Sequence, residues 1–240
     1  MNDFQIYVMY PLLYSGITYW GTSAVWFLFD IFIAPSYRIH GGEIIDWKLY
    51  GKTAKHVIIT QLSTTPFILY ALIPVWKYRG VEVIWSNKLF SFMTIFQLLL
   101  CSVIGDLVFY LFHRLCHINL LYSKIHKLHH EWKVPVAVAA AYATKYEYVI
   151  CNLPTFLLPP LILGIHWYVA NVWFIIATFN VVMDHSGYVF FENSIRHAHH
   201  HKYTNYNYGT KKFDKISNTE FIDKNDKPAL HWLVFHGRKP

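Results

Sequence analysis

The sequence predicts an all-α integral membrane protein, with about four to five membrane helices and a cytosolic polyhistidine site for two metal ions. Three observations predict it. Apolar residues are gathered into long uncharged runs, Lys and Arg fall mostly on one side of those runs, and histidines cluster at helical spacing beside them.

Of 240 residues, 55% are hydrophobic and 19% aromatic, and 15% are Asp, Glu, Lys or Arg. An ordinary soluble domain carries about 25% of such charges. Phe4 to Phe29 holds no charged side chain, nor does Val57 to Trp76, nor Leu89 to Gly105. A membrane span needs about 20 predominantly apolar residues, so each of these runs suits one helix. The fourth run, Tyr148 to Met183, is too long for one helix and contains Pro159, Pro160 and Gly164. It predicts a hairpin of two shorter helices, 148–163 and 167–183, which need not both span fully. Five buried helices of a soluble core are the competing reading, disfavoured because such helices seldom run this far without charge.

If every run crosses, residues 30–56, 106–147 and 184–240 share one side with 18 of the 21 Lys and Arg. Cytoplasmic loops carry the excess of these residues, so this side faces the cytosol. The formal charge of +7 then lies against anionic lipid headgroups rather than nucleic acid, for which no motif is present. MNDFQ lacks the positive region of a secretory signal, and the first run reads as a retained anchor. Cys101, Cys116 and Cys151, odd in number and in or beside apolar runs, read as free buried thiols.

The domain expectation is one unit: membrane-anchor helices in 1–112, a catalytic region at 100–219 that includes the hairpin 148–183, and a polar tail at 220–240. No internal repeat divides it.

Histidine spacing carries the chemistry. His113 and His117 are four apart, while His126, His129 and His130 form H-x-x-H-H, and so do His197, His200 and His201. Residues three and four apart share a helix face, so each cluster offers two or three imidazoles to one point in space. Neutral imidazole suits Zn, Cu, Fe and Ni. Eight clustered histidines exceed the four ligands of one tetrahedral site, so two metals fit better, with His185 of VVMDHSGY as the ninth ligand. His199 is a possible substitute within HAHHH. His40, His56 and His166 read as ordinary satisfied core residues, and His231 and His236 as tail residues. Carboxylates near the clusters are too few for a Glu-rich di-iron bundle. Asp106, two turns before His113, either accepts an N–H from a ligand imidazole or simply marks a helix end at the membrane boundary. Glu131 and Asp184 adjoin ligands and invite the same role.

DLVFYLFHRLCH, IHKLHHE, HSGY and HAHHH followed by NYG resemble the fatty acid hydroxylase/sterol desaturase superfamily, over about residues 100–219. Within it the pattern is most similar to C-4 methylsterol oxidases. AYATKYE, Ala141 to Glu147, aligns with their EYAHP-x-E, and FDKISNT, Phe213 to Thr219, with their WDRIFGT. Thr144 replaces a histidine of that pattern, Lys145 a proline, and Ser217-Asn218 a Phe-Gly pair. The resemblance implies a membrane-bound, non-haem di-iron oxygenase of the endoplasmic reticulum. It would oxidise a C–H bond of a lipid, a C-4 methylsterol first, with no catalytic residue beyond the metal ligands. Other outcomes are a fatty acid or sphingoid hydroxylase, a sterol desaturase, or an inactive chain retaining metal, an outcome the Thr144 change motivates. A metal transporter is disfavoured by the few polar residues inside the runs. The sequence has no dinucleotide fingerprint, P-loop or fused haem domain, so electrons from NAD(P)H are expected through a separate cytochrome b-type haem protein.

Overall fold

Uncharged runs of this length have one way to satisfy their backbone in a bilayer, which is helix. The computed structural model describes residues 2–32, 37–39, 44–81, 83 and 91–221. Its main helices are α1 (Tyr10–Phe32), α2 (Trp47–Ala71), the short α3 (Ile73–Tyr78), α4 (Phe92–Cys116), α5 (Leu153–Leu163), α6 (Trp167–Asp184) and α7 (Glu192–Tyr203), with the short α8 (Lys211–Ile216) after them. The polar tail, His40, His231 and His236 fall outside the described residues, apart from Glu220 and Phe221.

Among the described residues, four helical segments are long and apolar enough to cross a membrane: Trp47–Tyr78, Phe92–Cys116, Lys145–Leu163 and Trp167–Asp184. The first uncharged run does form a 23-residue helix, α1, but Tyr, Ser, Thr and Gly interrupt its aliphatics. It therefore lies outside those four, and it packs along α6. The run predicted from Val57 begins ten residues earlier, because Asp46 caps α2 by accepting the N–H groups of Lys48 and Leu49, both at 2.9 Å. The predicted hairpin is present, and Gly164 rather than the prolines makes its break. Gly164 adopts φ +60 and closes α5 as a left-handed cap, while Pro159 and Pro160 stay within the helix. Outward side chains such as Phe67 and Leu99, 71% and 60% exposed, present an apolar surface to lipid.

Between these helices runs the buried stretch Val134–Ala143. Its small side chains let it pass through the bundle, and its polar backbone must find partners there. Tyr19 supplies two of them, donating to Val138 O (2.9 Å) and accepting from Ala141 N–H (3.1 Å). The helices interlock closely: a Cβ at Gly105 would lie 2.8 Å from the Trp173 ring.

Gly187 of HSGY sits at a tighter point. It adopts φ +76, where a Cβ would collide with Pro135 O and lie 3.1 Å from the Arg38 guanidinium. Arg38 is itself buried, donates to Asp30 (2.6 Å) and lies over the Tyr188 ring. Gly187→Ala combines left-handed strain with a backbone clash, so a loss of at least about 2 kcal/mol is expected. An unfolding midpoint in detergent measures it; a wild-type midpoint would contradict this packing.

Candidate metal centre

The chain brings all nine predicted histidines together. His113, His117, His126, His130 and His200 form one group; His129, His185, His197 and His201 form a second. Within each group one nitrogen per ring lies within 4.8 Å of the others. The groups adjoin: ring centroids of His126 and His129 are 5.2 Å apart, and those of His130 and His201 are 4.7 Å apart.

This grouping corrects one expectation. An H-x-x-H-H motif does not serve a single point; it is divided. On α7, positions four apart differ by about 40° around the axis, whereas a position three on lies about 60° the other way. His197 and His201 thus enter the second group, and His200 turns to the first. The 126–130 motif divides in mirror fashion, His126 and His130 going to the first group and His129 to the second. His199 is turned elsewhere, packed on the rings of Tyr203 and Phe221. His56 lies 2.8 Å from Ala143 O, and His166 caps α6 by accepting Tyr168 N–H, as ordinary satisfied residues do.

The inward atoms are Nε2. Outward Nδ1 atoms rest on backbone carbonyls: His113 on Tyr208 O (2.6 Å), His129 on Tyr142 O (3.3 Å), His185 on Val181 O (2.8 Å), His200 on Tyr206 O (2.6 Å) and His201 on Trp132 O (2.8 Å). A carbonyl only accepts, so each of these Nδ1 atoms carries the proton and each Nε2 presents a lone pair. Yet the Nε2 atoms of His129 and His185 face one another at 3.4 Å, both as lone pairs. His200 Nε2 is buried without a hydrogen-bond partner. Lone pairs aimed at one another in a closed site repel unless a cation lies between them. The donor set, neutral imidazole with its tautomer fixed from behind, fits a divalent metal such as iron.

Electrostatics agree with that fit. Burial, aided by neighbouring imidazoles, holds His117 down to about 3, and His185 likewise to about 3. Burial lowers His129 to about 4, against a partial opposing pull from Tyr142 O. Burial and neighbouring histidines push His126, His197, His200 and His201 far below the ordinary imidazole range. In the unfolded chain these rings take protons below about pH 6.5, while in the folded chain they do not. Stability therefore rises with pH across this window and is lost as pH falls from about 6.5 towards 4. The metal-free protein should unfold at lower denaturant at pH 5 than at pH 8; an equal or higher midpoint at pH 5 would contradict the neutral cluster.

The three predicted carboxylates play other parts. Asp106 reaches no histidine among the described residues; it lines the cavity described below. The carboxylate that contacts an imidazole is Glu147, with Oε1 2.8 Å from His126 Nδ1. It ends the AYATKYE segment, three residues after Thr144. Glu131 accepts from Lys52 Nζ (2.9 Å) and Tyr142 OH (2.5 Å), steadying the residue whose carbonyl holds His129. Asp184 lines the cavity beside His185.

Thr144 is not a gap in either group. Its hydroxyl donates to Ile125 O at 2.9 Å and accepts Glu147 N–H at 3.2 Å, tying the turn at 145–147 to the segment just before His126. Thr144→Ala is expected to cost about 1 kcal/mol as a lost cap and to leave metal content unchanged. Loss of half the metal in that variant would return Thr144 to the ligand shell.

The motif NYG…FDKISNT holds two imidazoles from outside. Asp214 is fully buried and accepts from Arg196 (2.9 Å), Tyr208 N–H (2.9 Å), Gly209 N–H (3.3 Å) and Thr219 hydroxyl (2.8 Å). Asn207, at φ +55, donates to Arg196 O and Phe221 O. This knot presents Tyr206 O and Tyr208 O to His200 and His113. Asn218 adopts φ +54 where the family pattern has glycine. Asparagine tolerates this region better than most residues, so that departure preserves the turn.

A cavity of about 650 Å³ runs from the helices to the histidines. Leu12, Leu62, Phe109, Phe156 and Phe174 are among its walls, and His113, His126, His129, His185 and His197, from both groups, meet it.

The fatty acid hydroxylase family profile matches residues 98–219. The chain is 29% identical over 85% of its length to a fatty acid hydroxylase domain-containing protein 2 of Macaca fascicularis, covering 62% of that relative. It is 26% identical over 92% of its length to a methylsterol monooxygenase of Aspergillus fumigatus, covering 80% of it. It is 30% identical over 75% of its length to a fatty acid hydroxylase of Mycosarcoma maydis, covering 47% of it. The chain thus spans less than two thirds of the length of the first and the third of these. No solved structure matches it. With this match, the helical bundle and the histidine site, the chain belongs to the fatty acid hydroxylase family, within the fatty acid hydroxylase/sterol desaturase superfamily and close to its methylsterol oxidases.

Proposed function

We propose that the chain is a membrane-bound di-iron oxygenase that inserts oxygen into a C–H bond of a lipid, a C-4 methylsterol before other lipids. The observation that carries this reading is the cavity, which joins lipid-facing helices to both histidine groups. Ile58 and Leu62 line it and are exposed on α2, so an apolar molecule can enter sideways without crossing water. Its volume falls in the range of sites for small organic ligands. A rigid polycyclic lipid suits a cavity walled by packed helices, and the methylsterol monooxygenase of Aspergillus fumigatus matches along most of the chain.

Two irons held by the nine histidines would supply the oxidising power for an unactivated C–H bond. The chain's own residues do the rest. Backbone carbonyls keep the Nε2 atoms of His113, His129, His185, His200 and His201 turned inward, aromatic and aliphatic walls orient the hydrocarbon, and the closed helices exclude water. Overall, the C–H bond and O₂ become C–OH and water, with two electrons and two protons taken up. The electrons come from NAD(P)H through a separate haem carrier of cytochrome b type. In this reading residues 100–219 form the catalytic region, and the helices within 1–112 both anchor the chain and wall the cavity. The histidines and their loops face the cytosol from the endoplasmic reticulum.

A fatty acid or sphingoid substrate is the second reading, favoured by the Mycosarcoma maydis relative. The inactive alternative loses its motive, since Thr144 is occupied in backbone contacts. Purified protein with an electron donor, ¹⁸O₂ and a labelled 4-methylsterol or fatty acid tests the proposal. Labelled oxygen in the sterol product supports it, label only in the fatty acid moves the substrate, and metal-loaded protein that oxidises neither overturns the enzyme reading.

A further inference from the structure

The two histidine groups are built from the same ligand, yet their backing is unequal. In the four-histidine group, His129, His185 and His201 rest on neutral carbonyls. In the five-histidine group, His113 and His200 do the same, while His126 rests on the carboxylate of Glu147. Among the described residues this is the sole carboxylate in contact with any of the nine rings. Both side chains are sealed, His126 at 1% exposure and Glu147 at 2%; the pair stands at 2.8 Å, but neither His126 Nδ1 nor Glu147 Oε2 completes a hydrogen bond, so the contact is one of charge and proximity. A buried anion is costly unless something positive compensates it, and among the described residues no Lys or Arg contacts Glu147. A metal on the far side of His126 would supply that compensation.

We propose that Glu147 is a positioning residue that makes the two metal positions unequal, strengthening the hold of the five-histidine group on its ion. This rests on the metal-binding reading above. An imidazole whose outer N–H donates to a carboxylate is a stronger donor than one donating to a carbonyl, and such backing is typically worth 10–100-fold in metal affinity. The capped turn at 145–147 fixes the geometry. The Thr144 hydroxyl accepts Glu147 N–H and donates to Ile125 O, one residue before His126, so the carboxylate and the ring are set by one short piece of backbone.

The test is metal retention in full-length protein loaded with iron or with cobalt, followed through a chelator challenge and the cobalt absorption spectrum. Wild type is expected to release two ions in two phases. Glu147→Gln keeps an oxygen acceptor for His126 but removes the charge. It is expected to speed the slow phase at least about tenfold and to leave the fast phase in place. Glu147→Asp should restore part of the slow phase. A Gln variant that releases both ions like wild type would overturn the assignment, as would one that speeds both phases equally. If Gln fails to fold, Glu147→Asp alone decides, since wild-type release and spectrum from the shortened carboxylate would also overturn it. Wild type that binds no metal would instead sink the metal centre itself.

Discussion

Replacing His200 with alanine is expected to empty the five-histidine group, and replacing His129 to empty the four-histidine group. Each residue sits in an H-x-x-H-H motif whose other two members serve the opposite group. Each variant should therefore keep roughly one ion per chain, bound by the group left intact. Activity should fall by more than about 100-fold in both, the upper end of what even an outer contact costs. The reason lies in packing. His200 Nδ1 is held by Tyr206 O and its Nε2 has nothing but the group's interior to face. An alanine leaves that space open, and the neighbouring His113 is held in place by the contact of its Nδ1 with Tyr208 O. Metal analysis of each variant checks the division. Equal loss of both ions from each variant would show one shared site in place of two.

The second large effect is expected at Asp214. Asp214→Asn keeps the shape of the knot and removes the charge that Arg196 faces, leaving a guanidinium that is 3% exposed with one buried partner lost. Removing one member of a buried ion pair costs about 3–5 kcal/mol. Glu220 also contacts Arg196 and offsets part of that loss, which puts the expectation at the lower end. The functional consequence should be larger than the stability loss suggests. Tyr206 O and Tyr208 O are presented to His200 and His113 by this segment, so the five-histidine group should bind its ion more weakly while the four-histidine group is spared. Chemical unfolding together with metal content separates the two effects. A destabilised variant with both ions retained would confine Asp214 to folding.

What could be read from the residues alone follows from range. Uncharged runs and histidine spacing are local signals; they pointed to the helices, and the nine histidines they singled out lie together in the fold. The division into two groups depends on which side of each helix faces the other motif, and no spacing rule carries that. Asp106 looked apt because it lies two turns before His113, but a helix face says nothing of which ring an outer carboxylate meets. Glu147 was visible only as the last letter of AYATKYE, since its partner His126 lies 21 residues earlier across a turn. Asp214 and Arg196 were hidden for the same reason. They meet through the fold, and their effect on His113 and His200 passes through backbone carbonyls that have no sequence signature. Thr144 misled in the other direction, because a lost histidine suggests a lost ligand until the hydroxyl is seen capping a turn.

Nine neutral imidazoles, eight buried and His117 half-buried, are proposed to hold two irons at the end of a lipid cavity. Iron content and Mössbauer spectrum of the full-length protein, purified in detergent at pH 8 and dialysed free of loose metal, test it most directly. The account predicts two irons per chain in nitrogen-rich surroundings. Iron-free protein that refuses added iron, or a single tightly bound zinc, would contradict it.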